Sequence, residues 1–189
     1  MISQSEQSSI TFGALCPSLY LKPTTELDLP YIYRWYMEAD ISQLAGCIIA
    51  QDLDSLISQY RAGTESVGVV SFTLWEGDRR LGLAEIRSIG EFGGARQGEA
   101  VAWLGESRGH GIGLRLFAFI LKLAFEHLEL DRLWWWVHSD NIVMNRICDK
   151  IGFPEFCRPD ESNSDTRFFQ VDRDAYTVFL DSTPLSRYR

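Results

Sequence analysis

The sequence lacks the features that define several common protein classes. It has no apolar run long enough to span a bilayer and no recognisable signal peptide, which predicts a cytoplasmic protein with no membrane partner. Its four cysteines are dispersed and form no C-x-x-C pair, which predicts reduced thiols and gives no indication of a metal site. Basic residues number 18 against 26 acidic ones, for a net charge of -8. Because a nucleic-acid binder needs a basic face, this balance argues against that class and predicts no nucleic-acid partner.

What remains is the composition of a folded, globular chain. Of its 189 residues, 46% are hydrophobic and 13% aromatic, enough for one domain with a sizeable core. The polar N-terminal residues predict a flexible segment over residues 1–18 and a single domain over residues 19–189. The acidic balance favours solubility over recognition of a cationic substrate, although it is compatible with both.

Hydrophobic periodicity predicts helices and strands in mixed order, hence an α/β or α+β sheet with helices on both faces. Asp28, Pro30 and Asp52 mark the starts of the first two helices, the first of them running to about Ala39. The strands are predicted at Leu19–Pro23, Val67–Trp75, Leu81–Ile89, Ala100–Leu104, Arg132–His138, Phe153–Cys157 and Thr166–Val171; the later helices at Gly111–Leu128 and Asn141–Ile151; and a last helix or strand at Asp172–Leu180.

The segment from Arg108 to Gly113 reads Arg-Gly-His-Gly-Ile-Gly and lies between a predicted strand and a long apolar helix. Alternate glycines let the backbone turn sharply and approach a ligand closely, and the helix N-terminus directs unpaired amides at the same point. No Gly-Lys-Ser or Gly-Lys-Thr follows, so this is not a P-loop. The glycine spacing also differs from the dinucleotide-binding fingerprint. The segment is therefore predicted to bind pyrophosphate.

These motifs together resemble the GNAT N-acetyltransferases, whose coenzyme A signature is Arg or Gln, two residues, Gly, one residue, and Gly or Ala. The strand at Leu133–Val137 resembles the family's fifth strand, and Asn141 through Gly152-Phe153 resembles its Asn-led helix ending in Lys-x-Gly-Phe. The similarity covers about residues 19–180. The branches most similar are the ribosomal-protein N-terminal and the amino-sugar-nucleotide acetyltransferases. The resemblance implies a mostly antiparallel, twisted central sheet that splays between its fourth and fifth strands, at Ala100–Leu104 and Leu133–Val137.

The resemblance also implies acetyl-coenzyme A as cosubstrate, lying in the splay. The residues expected to bind it are the backbone near Trp103 and Leu104, the loop residues Arg108, Gly109, His110, Gly111, Ile112 and Gly113, and Asn141. Asn141 has a second interpretation, as a plain helix N-cap, and the two roles are compatible.

The chemistry needs a base for the acceptor ammonium and a proton donor for the departing thiolate. Glu85 is the first candidate base and Glu99 the second, with an exposed strand charge as the alternative for each. His138, at a strand end beside the expected cleft, is a further candidate. Many relatives place a Tyr four residues before the Gly of Gly-Phe, where this chain has Cys148. Cys148 is either the proton donor or a small buried hydrophobe, and Ser139 or water could replace it as donor.

Aromatic residues offer candidate acceptor contacts. Trp35 and Tyr36 lie in the first helix, where the family builds part of its acceptor pocket, and core packing is the alternative. The run Trp134-Trp135-Trp136 is interpreted as a central strand buried on both faces. Residues 90–98, with four glycines, are predicted to form a loop near the acceptor entrance that is able to move.

The sequence thus predicts an N-acetyltransferase that acetylates a primary amine of a small molecule, such as an amino sugar, by direct attack in a ternary complex. Two alternatives stay open: acetylation of a peptide N-terminus, and a non-catalytic coenzyme A-binding sensor. The chain is expected to be a monomer or homodimer.

Overall fold

A computed structural model of the chain describes residues 10–11, 18–38, 41, 50–64, 68–109, 111–156 and 165–182. The predicted N-terminal segment, apart from Ile10, Thr11 and Ser18, lies outside these residues, as does His110. Within the described part, one sheet contains seven strands in chain order. They are β1 (Ile10–Thr11), β2 (Leu19–Pro23), β3 (Val70–Glu76), β4 (Arg79–Phe92), β5 (Ala95–Leu104), β6 (Arg132–His138) and β7 (Thr166–Asp172).

Neighbouring strands are antiparallel except at one place. β5 and β6 run parallel, because the chain returns through a long helical connection between them. The helices are α1 (Leu29–Tyr36), α2 (Leu53–Thr64), α3 (Ile112–Lys122), α4 (Ile142–Ile151) and α5 (Arg173–Ser182). The predicted mixed, mostly antiparallel fold is confirmed, and the last segment is a helix.

Local sequence signals explain where the helices begin. Asp28 occupies the N-cap position of α1 and Pro30 its first turn, as predicted, but the Asp28 carboxylate makes no capping hydrogen bond to the helix. Asp52 caps α2, where its Oδ1 accepts a hydrogen bond from the Ser55 amide at 2.7 Å. The prediction placed the end of α1 at about Ala39, whereas α1 ends at Tyr36; Ala39 itself lies outside the described residues.

The long apolar helix predicted over Gly111–Leu128 is confirmed, but its hydrogen bonding changes from α-helical to π-helical near its C-terminus. The α-helical part ends at Lys122, and a π-helical turn covers Leu123–His127. The Leu128 amide donates to the Leu123 carbonyl at 2.9 Å, one residue beyond the α-helical spacing. Because this helix is apolar on most sides, it is buried along most of its length.

Two predictions of local structure are wrong. Residues 90–98 are not a loop, because β4 and β5 extend through them and pair up to Phe92 and Ala95. The turn uses only Gly93 and Gly94, both with positive φ, as a two-residue type I′ hairpin requires. The predicted strand over Phe153–Cys157 is also absent from its described part: Glu155 forms a single bridge with Phe169, since Pro154 has no N–H to donate.

The two faces of the sheet pack against different helices. Helices α3, α4 and α5 cover the side that carries Leu74, Ile86 and Leu133, called here the α3 face. Helices α1 and α2 cover part of the opposite side, called the α1 face, where they pack on Leu83 and Trp103. Helices on both faces are therefore confirmed. None of the helices in the described residues is long and apolar enough to cross a bilayer.

Candidate active site

A gap opens in the sheet between β5 and β6. Their parallel pairing runs from Gln97 opposite Arg132 to Glu99 opposite Trp134 and then stops. Beyond that point Ala100–Leu104 pairs only with β4, and Trp135–His138 pairs only with β7. The facing backbone edges can therefore accept an extended ligand in the manner of an added strand. The predicted splay between these two strands is confirmed.

The glycine-rich segment lies at the wide end of this gap, between β5 and α3. Gly109 and Gly111 have φ values of 94° and 74°, so L-residues would be strained there. A Cβ built at either position meets no atom within 4 Å, so the backbone borders open space. The first amides of α3 have no partner inside the helix. These features fit a pyrophosphate.

Arg108 is anchored beside this backbone cradle. Its Nε donates to the Leu104 carbonyl at 3.0 Å, and its Nη2 donates to Glu38 Oε2 at 2.7 Å. The guanidinium is partly exposed and forms an ion pair with Glu38, so that carboxylate partly offsets the positive charge that Arg108 brings to the loop.

Glu85 lies on the α1 face of β4 and is held by two neighbours. Its Oε1 accepts from the Ser71 hydroxyl at 3.0 Å, and its Oε2 accepts from Arg87 Nε at 2.7 Å. The side chain is 14% exposed. Both carboxylate oxygens are thus occupied by donors.

Glu99 lies on the same face, at the last residue of β5 that pairs with β6. Its Oε1 accepts from the Trp136 indole Nε1 at 3.1 Å. In the described part of the chain no donor is placed on its Oε2. The carboxylate is partly exposed beside the start of the gap.

The three consecutive tryptophans of β6 alternate between the two faces. Trp135 is 2% exposed in the core, where it stacks on Phe169 and meets Phe117 edge-on. Trp134 and Trp136 point to the α1 face and are only half-buried. The prediction that β6 is buried on both faces is therefore wrong for the α1 face. Helices α1 and α2 cover only the part of the α1 face nearer to Leu83 and Trp103.

The turn from β6 into α4 is held by polar side chains. His138 is half-buried, and its Nδ1 accepts from the Asp140 amide at 3.3 Å. Asn141 Oδ1 accepts from the Met144 amide at 3.1 Å, so its N-cap interpretation is confirmed. A contact of Asn141 with coenzyme A stays a prediction.

Sequence reasoning missed Asn145, which joins the same turn to β7. Its Nδ2 donates to the carbonyls of His138, Ser139 and Asn141 at 2.9, 3.2 and 3.0 Å. Its Oδ1 accepts from Arg167 Nη1 at 3.0 Å. Its position one turn after the capping Asn141 is a weak signal, since helical Asn side chains often bond to nearby backbone groups.

The structure places the other predicted site residues in the interior. Cys148 is 0% exposed, and burial raises the pKa of its thiol to about 11. Trp35 and Tyr36 are buried in the cluster with Trp103, and the Tyr36 and Trp103 ring centroids are 6.4 Å apart. Among the described residues, no group of three or more His, Cys, Asp or Glu side chains could hold a metal ion.

Comparison with known proteins identifies the class of this split sheet and its loop. A family model described as an acetyltransferase (GNAT) domain matches residues 18–154. The chain belongs to the GNAT acetyltransferase family. It is accordingly an acyl-coenzyme A-dependent N-acyltransferase. No curated protein sequence matches the chain significantly.

Solved structures share the fold at low sequence identity. A spermidine N-acetyltransferase from Vibrio cholerae, in complex with CoA and spermine, has a TM-score of 0.76 and 20% identity, covering 85% of this chain and 98% of that one. A dodecameric structure of the Vibrio cholerae enzyme has a TM-score of 0.70 and 18% identity, with coverage of 84% and 96%. The N-acetyltransferase PseH of Campylobacter jejuni has a TM-score of 0.63 and 15% identity, with coverage of 83% and 99%.

Proposed function

We propose that the protein transfers the acetyl group of acetyl-coenzyme A to a primary amine of a small molecule, by direct attack in a ternary complex. One observation carries the proposal: the gap between β5 and β6 connects the open glycine loop at one end with the Glu99 carboxylate at the other. This transfer needs a phosphate-binding group at one end of a continuous opening and a proton-accepting carboxylate at the other.

The chain's own backbone accounts for coenzyme binding. The amides around Gly109, Gly111 and Gly113, together with Arg108, would hold the pyrophosphate, since Gly109 and Gly111 border open space and the N-terminus of α3 is positively polarised. The free edge near Trp103 and Leu104 would pair with the pantetheine arm. When bound, acetyl-coenzyme A supplies the acetyl thioester.

Glu99 is the better-placed base of the two predicted carboxylates. An alkyl amine with a pKa of about 10.4 arrives protonated at neutral pH and must lose its proton before it attacks. Glu99 Oε2 carries no donor in the described residues and lies where the two strands separate. Both oxygens of Glu85 already accept hydrogen bonds, which suits a role in fixing Arg87 and Ser71.

The proton donor is assigned to His138 rather than Cys148. Cys148 lies among apolar side chains on the α3 face and keeps its proton because burial raises its thiol pKa to about 11. His138 lies at the cleft end of β6, with its Nδ1 3.7 Å from Asp140 Oδ2, and its protonated ring would give a proton to the departing thiolate.

A small cationic amine is the acceptor class that the comparisons support best. The Vibrio cholerae protein is a spermidine acetyltransferase crystallised with spermine. Carboxylates on the α1 face and a net charge of -8 are compatible with such an acceptor. An amino sugar or a peptide N-terminus is the alternative acceptor.

The test is thiol release from acetyl-coenzyme A with a panel of polyamines, amino sugars and peptides. We expect turnover with a small amine, and we expect Glu99→Gln to lower kcat by about 10²- to 10⁴-fold without changing coenzyme A affinity. Glu91→Gln, an exposed glutamate near the tip of the same hairpin, is the matched control. Coenzyme A binding without thiol release for any acceptor of the panel would contradict the proposed transfer to a small amine. Unchanged turnover in Glu99→Gln would mean that Glu99 is not the general base, and Glu85 would then be the candidate.

A further inference from the structure

Trp35 packs directly against the start of the pyrophosphate loop. The side chain is 0% exposed, and its ring covers Gly105, the first residue after β5. A Cβ added at Gly105 would lie 2.0 Å from Trp35 Cδ2. The close approach of backbone and ring means that α1 sets where the loop leaves the sheet.

The next residue is fixed by hydrogen bonds from the same helix. Glu106 Oε1 accepts from the Trp35 indole Nε1 at 3.3 Å and from Arg34 Nη2 at 2.6 Å. On the other side, the amides of Gly105 and Glu106 both donate to the Leu81 carbonyl, at 2.9 and 3.0 Å. The chain is therefore clamped between α1 and β4 three residues before Gly109, the first of the open glycines.

Backbone amides can bind an anion tightly only when their positions are fixed beforehand. Ser107, Gly109 and Gly111 have positive φ, and the two glycines have no side chains that could hold their amides in place. The clamp at Gly105 and Glu106 is two residues before Arg108. It is therefore in a position to determine the direction in which the loop amides point.

We propose that Trp35 and Glu106 are positioning residues for the pyrophosphate loop, acting through the backbone at Gly105 and Glu106. This inference rests on the proposed coenzyme A site. It gives Trp35 a role at the cosubstrate, through the loop, in place of a contact with the acceptor. It also predicts that ligands carrying the pyrophosphate depend on Trp35 more strongly than ligands without it.

The test compares two acetyl donors on the full-length protein. S-acetylpantetheine has the reacting thioester and the pantetheine arm but no pyrophosphate. We expect Trp35→Phe, which keeps a ring and loses the indole N–H, to raise KM for acetyl-coenzyme A by about tenfold with little change in kcat. For S-acetylpantetheine we expect kcat/KM to stay within about twofold of the wild type.

Two further variants separate positioning from loss of folding. Tyr31→Phe changes a partly exposed ring on the same helix and should leave both donors unaffected. Glu106→Gln retains an oxygen for the indole but loses the charge pairing with Arg34, and should weaken acetyl-coenzyme A binding by a smaller factor. Thermal melting of each variant establishes that it is folded.

Three results would overturn the inference. They are equal losses with both donors, a rise in KM for the amine alone, and unchanged parameters in both Trp35→Phe and Glu106→Gln. Calorimetric titration with coenzyme A and with pantetheine gives a second readout that needs no turnover. If the wild type binds coenzyme A but never releases thiol, the proposed function fails while the titration still tests the positioning role. If it does not bind coenzyme A, both fail.

Discussion

The two faces of the sheet differ in what they bury. The α3 face is covered by an apolar cluster that includes Phe119, Trp135 and Cys148. The α1 face is apolar mainly beneath α1 and α2. Beyond Leu83 it carries Glu85 and then the cross-strand pair of Arg87 with Glu99. The buried polar residues in the described part of the chain, Thr24, Asp28 and Thr73, also lie outside the α3-face cluster.

The α3 face therefore contributes mainly to stability, whereas the exposed part of the α1 face carries the groups suited to chemistry. Because side chains alternate along a strand, β4 can place Ala84 and Ile86 in the core while Glu85 and Arg87 face the opposite side. Charged groups stay on a face where they find partners and partial solvation, so their desolvation cost stays low. Substitutions on the α3 face should therefore change folding, and substitutions on the exposed part of the α1 face should change turnover.

The largest expected effect comes from the centre of the α3 face. Phe119 of α3 is fully buried, and Phe119→Ala should lower the free energy of unfolding by about 3–5 kcal/mol, since it removes a large apolar side chain and leaves a cavity. Urea denaturation measures it. Phe92→Ala, at the exposed hairpin tip, is the control and should change stability by less than about 0.5 kcal/mol. Similar losses for the two variants would contradict the picture of one dominant core.

The next prediction concerns the polar residues beside the α1 face. Asp28 is 3% exposed, and its Oδ1 accepts from Arg80 Nε at 2.6 Å, while Thr25 donates twice to its Oδ2. Asp28→Ala should cost about 3 kcal/mol, because it leaves a largely buried guanidinium without its counter-ion. The same urea assay applies.

The neighbouring ion pair between Glu26 and Arg61 is the matched control. It also has two short hydrogen bonds, at 2.7 and 2.8 Å, but both side chains are well exposed. Glu26→Ala should cost less than about 1 kcal/mol. Equal losses of unfolding free energy in Asp28→Ala and Glu26→Ala would mean that burial does not determine how much each ion pair stabilises the fold.

Local patterns were sufficient to predict most of the fold. Alternation and capping residues located β2, β6, β7 and the starts of α1 and α2, since these signals depend on neighbouring residues only. Residues 90–98 were misjudged because glycine content suggested a loop. Only the pairing of the hairpin, with its bulge at Ser88 and turn at Gly93-Gly94, reveals strands there.

The candidate site depends on contacts between residues that are distant in the chain. The glycine loop was predictable because its chemistry lies in consecutive residues. That Ser71 reaches Glu85 depends on strand register, and that Trp136 reaches Glu99 depends on where two parallel strands separate. The clamp between Trp35 and Glu106 joins residues 71 positions apart and has no sequence signature.

Apart from the control variants, the smallest expected effect comes from the α3 face and depends on pH. Burial raises the thiol pKa of Cys148 to about 11, so between about pH 9 and pH 11 the folded chain keeps a proton that the unfolded chain loses. The unfolded state then binds fewer protons, and stability falls as the pH rises through this window. At pH 10 the loss of unfolding free energy attributable to Cys148 should be about 1.4 kcal/mol, and this loss should be negligible at pH 7.

Urea denaturation of the wild type and of Cys148→Ala from pH 7 to pH 10 measures this pH-dependent loss of stability. The alanine variant should begin less stable because of the lost volume, and should then decline less steeply. Parallel declines would mean that the thiol ionises equally well in the folded protein, and Cys148 would return as a candidate proton donor.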